Sequence, residues 1–443
     1  MKASISTPTS SRWSYRQAAL LITLFCGAVI LVKIFARGSN WAELDSTKYH
    51  FVIIDYFIAN GFDWNYPQVA PMYPGMHAFF ASIARLLHLG PLVPTDWAAF
   101  AIQSIWGLFY IGAALAIAVR LDRISPHIDR ILLFLILVCS SYPIASWIWP
   151  TTELGAYAAM YGLLAISIGC WRLTAGQSLL FAVFAVTATL FRQTYAVFAL
   201  SPLIVYGLAC LSERTTFRPT TLAIQAIPLA SVTMIVAAFT LKWGGLIAPE
   251  MAKAGMVSRT EYDQMTNLVG LIGLVGFPFV ILAVQLLHGD RRLIAAIAAL
   301  SCLAAIAADR FWPMIYDHSI GHFGSLIWVV VQHEEALHLG HGPLIVLLAL
   351  GLFVLFTLLW QCWRERMIEP ELVLFGLVAG SLLPQTYVFQ RYSEVAFLSL
   401  LAIALLRRVE ARGWTRLFLY AWFGAYAFVS FIRPIAAISG LSG

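Results

Sequence analysis

Apolar runs of about 20 residues recur from one end of the chain to the other, the length that carries an α-helix across about 30 Å of hydrocarbon. Their apolar residues do not alternate with period two, which excludes the strands of a membrane β-barrel. In lipid the backbone must satisfy its own hydrogen bonds, so the runs are expected to be helices. Composition agrees. Of 443 residues, 60% are hydrophobic and 11% charged, against about a quarter charged in soluble domains. The expected fold is all-α: a polytopic membrane protein with about 12–13 transmembrane helices.

Spans are expected at roughly 17–36, 97–119, 130–149, 154–172, 177–190, 193–211, 219–243, 267–287, 291–308, 343–362, 371–389, 393–408 and 414–434. Residues 1–16 form a polar tail with Lys2, Arg12 and Arg16. The run after it, Ala18 to Ala36, is too long for a signal-peptide core and reads as a retained first span. Alternate loops carry Arg120, Arg123 and Arg130; Arg172; Arg214 and Arg218; Arg291 and Arg292; Arg364 and Arg366; and Arg407, Arg408, Arg412 and Arg416. With the basic tail they define the cytoplasmic face. The net charge of +6 is thus spread over loops, which argues for membrane lipid rather than nucleic acid as the surroundings. Six cysteines lie in or beside apolar runs without metal-ligand spacing and read as small core residues. No repeat or linker divides residues 17–443, so one membrane domain is expected. Its larger extracytoplasmic loops cover about 37–96, 244–266 and 309–342.

The first outer loop reads as two short surface helices. Ser46 to Asn60 is expected to be helical and to end at Gly61. Pro71, Pro74 and Gly75 then break the chain before an amphipathic helix at Met76–Leu89, lying on the outer surface. Counting that segment as a span would throw the Arg120–Arg130 loop outside. Asp45 is expected to open the first helix, where an acid commonly serves as an N-cap. At a membrane boundary a carboxylate is also placed to deprotonate a hydroxyl of an acceptor docking from outside. His50 follows about one turn on, within reach of a substrate or of that carboxylate.

Four segments carry a family resemblance. Asp45, Tyr49 and His50 resemble an Asp-Glu-x-Phe-His signature, and Gly61-Phe62 and Tyr73-Pro74-Gly75-Met76 come after them. Phe191-Arg192-Gln193-Thr194 is similar to an Arg-Gln-Thr segment placed before a span, and Trp243-Gly244-Gly245-Leu246 to a Trp-x-Gly-Gly stretch. Gln390-Arg391-Tyr392 is similar to a C-terminal Arg-Tyr element. In this order they resemble the membrane-embedded GT-C glycosyltransferases, and within them the α-1,2-glucosyltransferase that completes the asparagine-linked glycan precursor. The chain departs from that branch in three ways. Asp45 and His50 are one residue further apart, Ser46 replaces the second acid, and Leu246-Ile247-Ala248-Pro249-Glu250 lacks the acidic-basic segment that comes after Gly-Gly.

The resemblance implies a GT-C-like fold and transfer of a hexose from a polyprenyl-phosphate donor to a hydroxyl of an acceptor glycan or lipid. The step would invert the anomeric carbon, with Asp45 as general base and no cofactor or obligatory divalent metal. Arg192, and Arg391 with Tyr392 beside it, suit the donor phosphate, since guanidinium grips phosphate oxygens bidentately. The alternative for such an arginine is a cation snorkelling at a helix end. Substrate contacts are expected from His50, Tyr73, Glu153, Gln193 and Trp243, and from His318 and His322, four apart in a loop rich in histidine. That loop misses the His-Glu-x-x-His zinc pattern, because His338 falls one residue late after His333-Glu334. Trp41, Trp64, Trp147, Trp149, Trp243 and Trp312 are expected to form an interfacial belt.

The rival class is a multi-pass transporter or lipid flippase. Transporters gather charge at the bilayer midplane and often repeat a broken helix in each half. Here charge collects at the outer boundary. Short loops and an Ala- and Leu-rich composition favour a bacterial inner membrane; in a eukaryote the expected site is the endoplasmic reticulum membrane.

Overall fold

The computed structural model describes residues 15–36, 41–70, 72–250, 263–314, 326–382, 393–432 and 434. Helices follow one another throughout, and among the described residues there is no strand. The first part runs α1 (Tyr15–Phe35), α2 (Trp41–Asp45), a π-helical turn (Ser46–His50), α3 (Phe51–Asn60), α4 (Gly75–Leu86) and α5 (Trp97–Ile124). Next come α6 (Arg130–Val138), α7 (Ser141–Ile148), α8 (Thr152–Ser167), α9 (Ala175–Phe191), a 3₁₀ segment (Gln193–Leu200), α10 (Ser201–Leu211) and α11 (Pro219–Trp243). The last part holds α12 (Asp263–Leu274), α13 (Phe277–Leu286), α14 (Arg291–Phe311), α15 (Leu326–Ala336), α16 (Gly342–Glu365), α17 (Pro370–Leu382), α18 (Glu394–Leu406) and α19 (Gly413–Ile432).

The chain is a multi-pass integral membrane protein. Among the described residues, seven helices are long and apolar enough to cross a membrane, and two bent pairs raise the number to nine. The expected count of about 13 is larger because several apolar runs form shorter helices. Ala175–Phe191 and Glu394–Leu406 have spanning composition without spanning length, and α8 stops at Ser167, before the arginine at 172; the run expected at 371–389 passes out of the described residues after Leu382. The bends have local causes. α6 and α7 meet at 57° where Ser140 caps the second helix, and α12 and α13 meet at 81° at Gly276, with Pro278 in the first turn of α13.

Helix starts follow polar capping. The Asp129 side chain accepts from the N–H groups of Ile131 and Leu132, Asp290 from Arg292 and Leu293, and Thr174 closes a capping box with Gln177. α8 and α18 form the centre. Every residue of α18 is buried, and α8 leaves only Ala165 partly exposed. Around them α1, α14 and α19 turn Leu20, Leu24, Leu31, Leu300, Leu303, Ile306, Phe428 and Val429 outward. An apolar exterior of this kind suits lipid and not water.

Small residues set the helix spacing. Antiparallel α12 and α16 cross so closely that a Cβ on Gly273 would stand 1.9 Å from the Leu347 carbonyl oxygen, and one on Gly351 would stand 2.1 Å from that of Val269. Backbone cannot yield as a side-chain tip can, so a methyl there must part the helices. Gly351→Ala is expected to cost about 1–3 kcal/mol or more, as overpacking does, read as a lower Tm in detergent. Gly424→Ala, with nothing within 4 Å of its added Cβ, should leave Tm unchanged.

The arginine-rich loops converge at one end of the bundle, where acids hold them. Arg130 pairs with Asp122 at 2.5 Å, Arg407 with Glu371 at 2.5 Å and Arg416 with Asp129 at 2.6 Å. Arg408 reaches Glu369 and Glu365 together. Arg120 donates to the carbonyls of Ala165 (2.8 Å) and Ile168 (2.9 Å). These arginines therefore also join helix ends.

Candidate active site at the acid-bearing end

The opposite end gathers the first outer loop and the ends of α7, α9 and α11. Lys33, near the end of α1, donates to the Ile148 carbonyl at 3.1 Å and fixes that helix beside α7. The helix expected to open at Asp45 opens at Trp41, because α2 precedes it. Asp45 has helical dihedrals and its side chain makes no cap hydrogen bond, so the N-cap reading is corrected. The carboxylate-bearing residue is half-buried. Its neighbour Ser46 is buried and donates its hydroxyl to the Pro150 carbonyl. That bond brings Asp45 alongside the Trp149–Glu153 stretch.

The residues after Asp45 form a π turn, with the Phe51 N–H donating to the Ser46 carbonyl five residues back. A π turn is a one-residue insertion in an α-helix, and such turns concentrate at functional sites. Residues five apart stand over one another here, as residues four apart do in an α-helix. The extra residue between Asp45 and His50 is thereby absorbed without moving His50 to another face.

His50 is buried, and its Nδ1 lies 3.0 Å from Nε2 of His77, which is wholly buried in α4. Burial, and then the neighbouring His50, hold His77 well below the ordinary histidine value, so it is neutral at physiological pH. α4 ends at Leu86 and is amphipathic as expected, burying Met76, His77, Phe80, Ala81 and Ala84. It enters against α9. A Cβ on Gly75 would fall 2.6 Å from Leu190 Cβ and 3.0 Å from the Leu190 carbonyl oxygen. Gly75→Ala should displace α4 and with it His77, lowering activity more than Tm; rate and Tm measured on one preparation check this.

Glu153 lies in the first turn of α8 and Arg192 caps the end of α9. Their side chains pair at 2.7 Å, with Arg192 12% and Glu153 2% exposed. Arg192 adopts extended backbone, which interrupts the helix and turns the guanidinium toward α8, and Tyr195 is buried close by. The Glu153 stretch is itself fixed. Gln103 donates to the carbonyls of Ser146 (2.8 Å) and Thr151 (3.0 Å), and Thr151 donates to the Ser146 hydroxyl at 2.8 Å. Gln193 is half-buried at the start of the 3₁₀ segment.

Tyr73 stacks on Phe239 with ring centroids 4.2 Å apart and meets Trp243 at 5.2 Å. Burial pushes the Tyr73 hydroxyl up to about 12, so it stays protonated. The belt reading fails for Trp147, Trp149 and Trp243, all less than 10% exposed. They are packed between elements, whereas Trp64 and Trp312 are exposed.

Two of the four resembling segments touch, and a third lies next to a contact of the first. His50 meets His77, Gly75 meets Leu190 just before Phe191-Arg192, and Tyr73 meets Trp243. The fourth, with Arg391 and Tyr392, and the pair His318 and His322 lie outside the described residues. Beside the fourth, Glu394 is fully buried and accepts from the Tyr426 hydroxyl at 2.6 Å. Sequence reasoning missed this acid and the contact between His50 and His77. The signal for Glu394 was an acid heading a wholly apolar run. In the histidine-rich loop, His341 Nδ1 pairs with Asp309 at 2.5 Å. Among the described residues no three His, Cys, Asp or Glu side chains gather as metal ligands. Comparison with protein-family models, with curated proteins and with solved structures finds no match.

Proposed function

We propose that this protein is a membrane glycosyltransferase of the GT-C type, moving a hexose from a polyprenyl-phosphate donor to a hydroxyl of an acceptor glycan or lipid at the extracytoplasmic face. The observation that carries the reading is a set of contacts at one end of the bundle: His50 meets His77 just after Tyr73–Met76, Gly75 meets Leu190 just before Phe191–Thr194, and Tyr73 meets Trp243. These segments are far apart in sequence, and the resemblance gives each a part in one reaction.

In the proposed step Asp45 takes the proton of the acceptor hydroxyl as its oxygen attacks the anomeric carbon. The bond from that carbon to the phosphate oxygen breaks on the opposite side, its electrons stay with polyprenyl phosphate, and the anomeric configuration inverts. Arg192, with Arg391 and Tyr392, stabilises the charge growing on the phosphate. A guanidinium has five N–H donors, enough to keep Glu153 and still grip a phosphate. His50, Tyr73, Glu153, Gln193 and Trp243 would contact donor or acceptor, a part the sequence also suggests for His318 and His322, outside the described residues. Activation resides in the lipid phosphate, so no cofactor enters.

The two bent spans and the buried Glu153–Arg192 pair also suit a transporter or lipid flippase. Purified protein in vesicles separates the readings. With polyprenyl-phosphate glucose or mannose labelled in the sugar, and a membrane extract as acceptor source, label should move from donor to a new glycan or glycolipid. Label crossing the bilayer while still on its lipid, with no product, would reject the transferase. Chelation with EDTA should leave the rate unchanged.

A further inference from the structure

The bond between His50 and His77 admits two proton arrangements, and the surroundings distinguish them. His50 Nδ1 and His77 Nε2 face each other at 3.0 Å and share one hydrogen. The other ring nitrogen of His77, Nδ1, is buried and has no hydrogen-bond partner. Suppose His50 Nδ1 carried the hydrogen. His77 Nε2 would then be the acceptor, and neutral His77 would have to carry its own hydrogen on Nδ1, a buried N–H donating to nothing. Buried N–H groups without an acceptor are rarer in proteins than under-used acceptors. In the opposite arrangement His77 Nε2–H donates to His50 Nδ1, and the unpartnered Nδ1 is a bare lone pair. Both rings then hold the Nε2–H form, the tautomer that free histidine prefers. Full burial of His77 beside a second imidazole keeps it from taking up a further proton.

We infer that His77 is a positioning residue that locks His50 in the Nε2–H tautomer, so that His50 offers the site a hydrogen-bond donor and cannot accept the acceptor's proton. The positioning role rests on the transferase reading; the tautomer does not. If both hold, His50 is excluded as the base, and proton removal falls to Asp45, one π turn earlier on the same helix. His50 orients an anionic or hydroxyl oxygen through its N–H, as the partner on the far ring nitrogen of a histidine commonly dictates.

The test has a spectroscopic arm and a kinetic arm. Protein with ¹⁵N-labelled histidine rings is compared by long-range ¹H–¹⁵N correlation as wild type, His50→Gln and His77→Gln, the variants assigning the two rings. The expected result is a protonated Nε2 and a bare, hydrogen-bonded Nδ1 on His50 in the wild type; a protonated Nδ1 on His50 overturns the inference whatever the activity. In the kinetic arm, the glutamine in His77→Gln keeps an amide N–H donor and should retain most of kcat. His77→Phe keeps volume without the donor and should lose about tenfold or more in kcat, the range for losing an orienting partner, with little change in KM. Equal loss in both, with Tm held, removes the positioning role. If no labelled donor yields product in the wild type, the transferase reading falls, while the ring spectrum still decides the tautomer.

Discussion

Asp45→Asn is expected to lower kcat for hexose transfer by about 10²–10⁴-fold, the usual contribution of a positioned general base, while the protein folds and extracts from the membrane as before. The two side chains match in shape, and the asparagine oxygen can still accept hydrogen bonds, but an amide cannot take a proton near neutral pH. The structure gives reason to expect an intact fold. Asp45 is half-buried, and its carboxylate caps nothing in the adjoining π turn. Backbone bonds carry the helix through this turn, the Ser46 hydroxyl holds the Pro150 carbonyl, and asparagine keeps the shape and the accepting oxygen of Asp45. Glu43 is the control. It lies two residues earlier on α2, is also half-buried, and projects to another side of the helix. Glu43→Gln should keep wild-type rates. Transfer of labelled hexose is measured for both, with size-exclusion profiles showing equal folding. An Asp45→Asn enzyme within threefold of wild type would remove Asp45 from the chemistry and with it the proposed inverting step.

The helical class and most of the helix positions could be read because lipid leaves the backbone so few options. A run such as Trp97–Ile124 has no other stable form in hydrocarbon, and loop arginines separate the two ends. Helix length was less legible. α18 is apolar behind Glu394, yet at 13 residues is shorter than the run at 393–408 that suggested it, because chain composition records burial in protein and burial in lipid alike. The same ambiguity misplaced Trp147 and Trp149. A tryptophan near a span end looks interfacial in sequence, and only packing against Gly107 shows that the Trp147 ring is buried in the bundle. At the candidate site, nearness within a continuous segment was readable, as with Asp45 and His50 about one turn apart. Pairings across the fold were not. Nothing in the sequence near Glu153 names Arg192 as its partner, and nothing near His50 names His77. The π turn was visible only as an Asp45–His50 spacing one residue longer than in the signature it resembles.

The second large effect is expected at the Glu153–Arg192 pair. Removing one member of a buried ion pair strands the other, at a cost of about 3–5 kcal/mol, whereas replacing both is often close to neutral. Glu153 is 2% exposed at the head of the central helix α8, and Arg192 holds α9 to it. Glu153→Gln and Arg192→Gln should each lower Tm markedly, and the double variant should recover part of the loss. The coupling in that cycle measures the pair itself. Activity should divide differently. If Arg192 grips the donor phosphate, the double variant remains slow although its stability returns, and its KM for the lipid-linked donor rises. If Arg192 serves only to hold α9 against α8, restoring stability restores the rate. Rate tracking stability through all four proteins would leave the pair as a strut, and the donor phosphate would have to be held elsewhere. A double variant as stable as wild type but unable to use the donor would separate the guanidinium's work on phosphate from its work on Glu153.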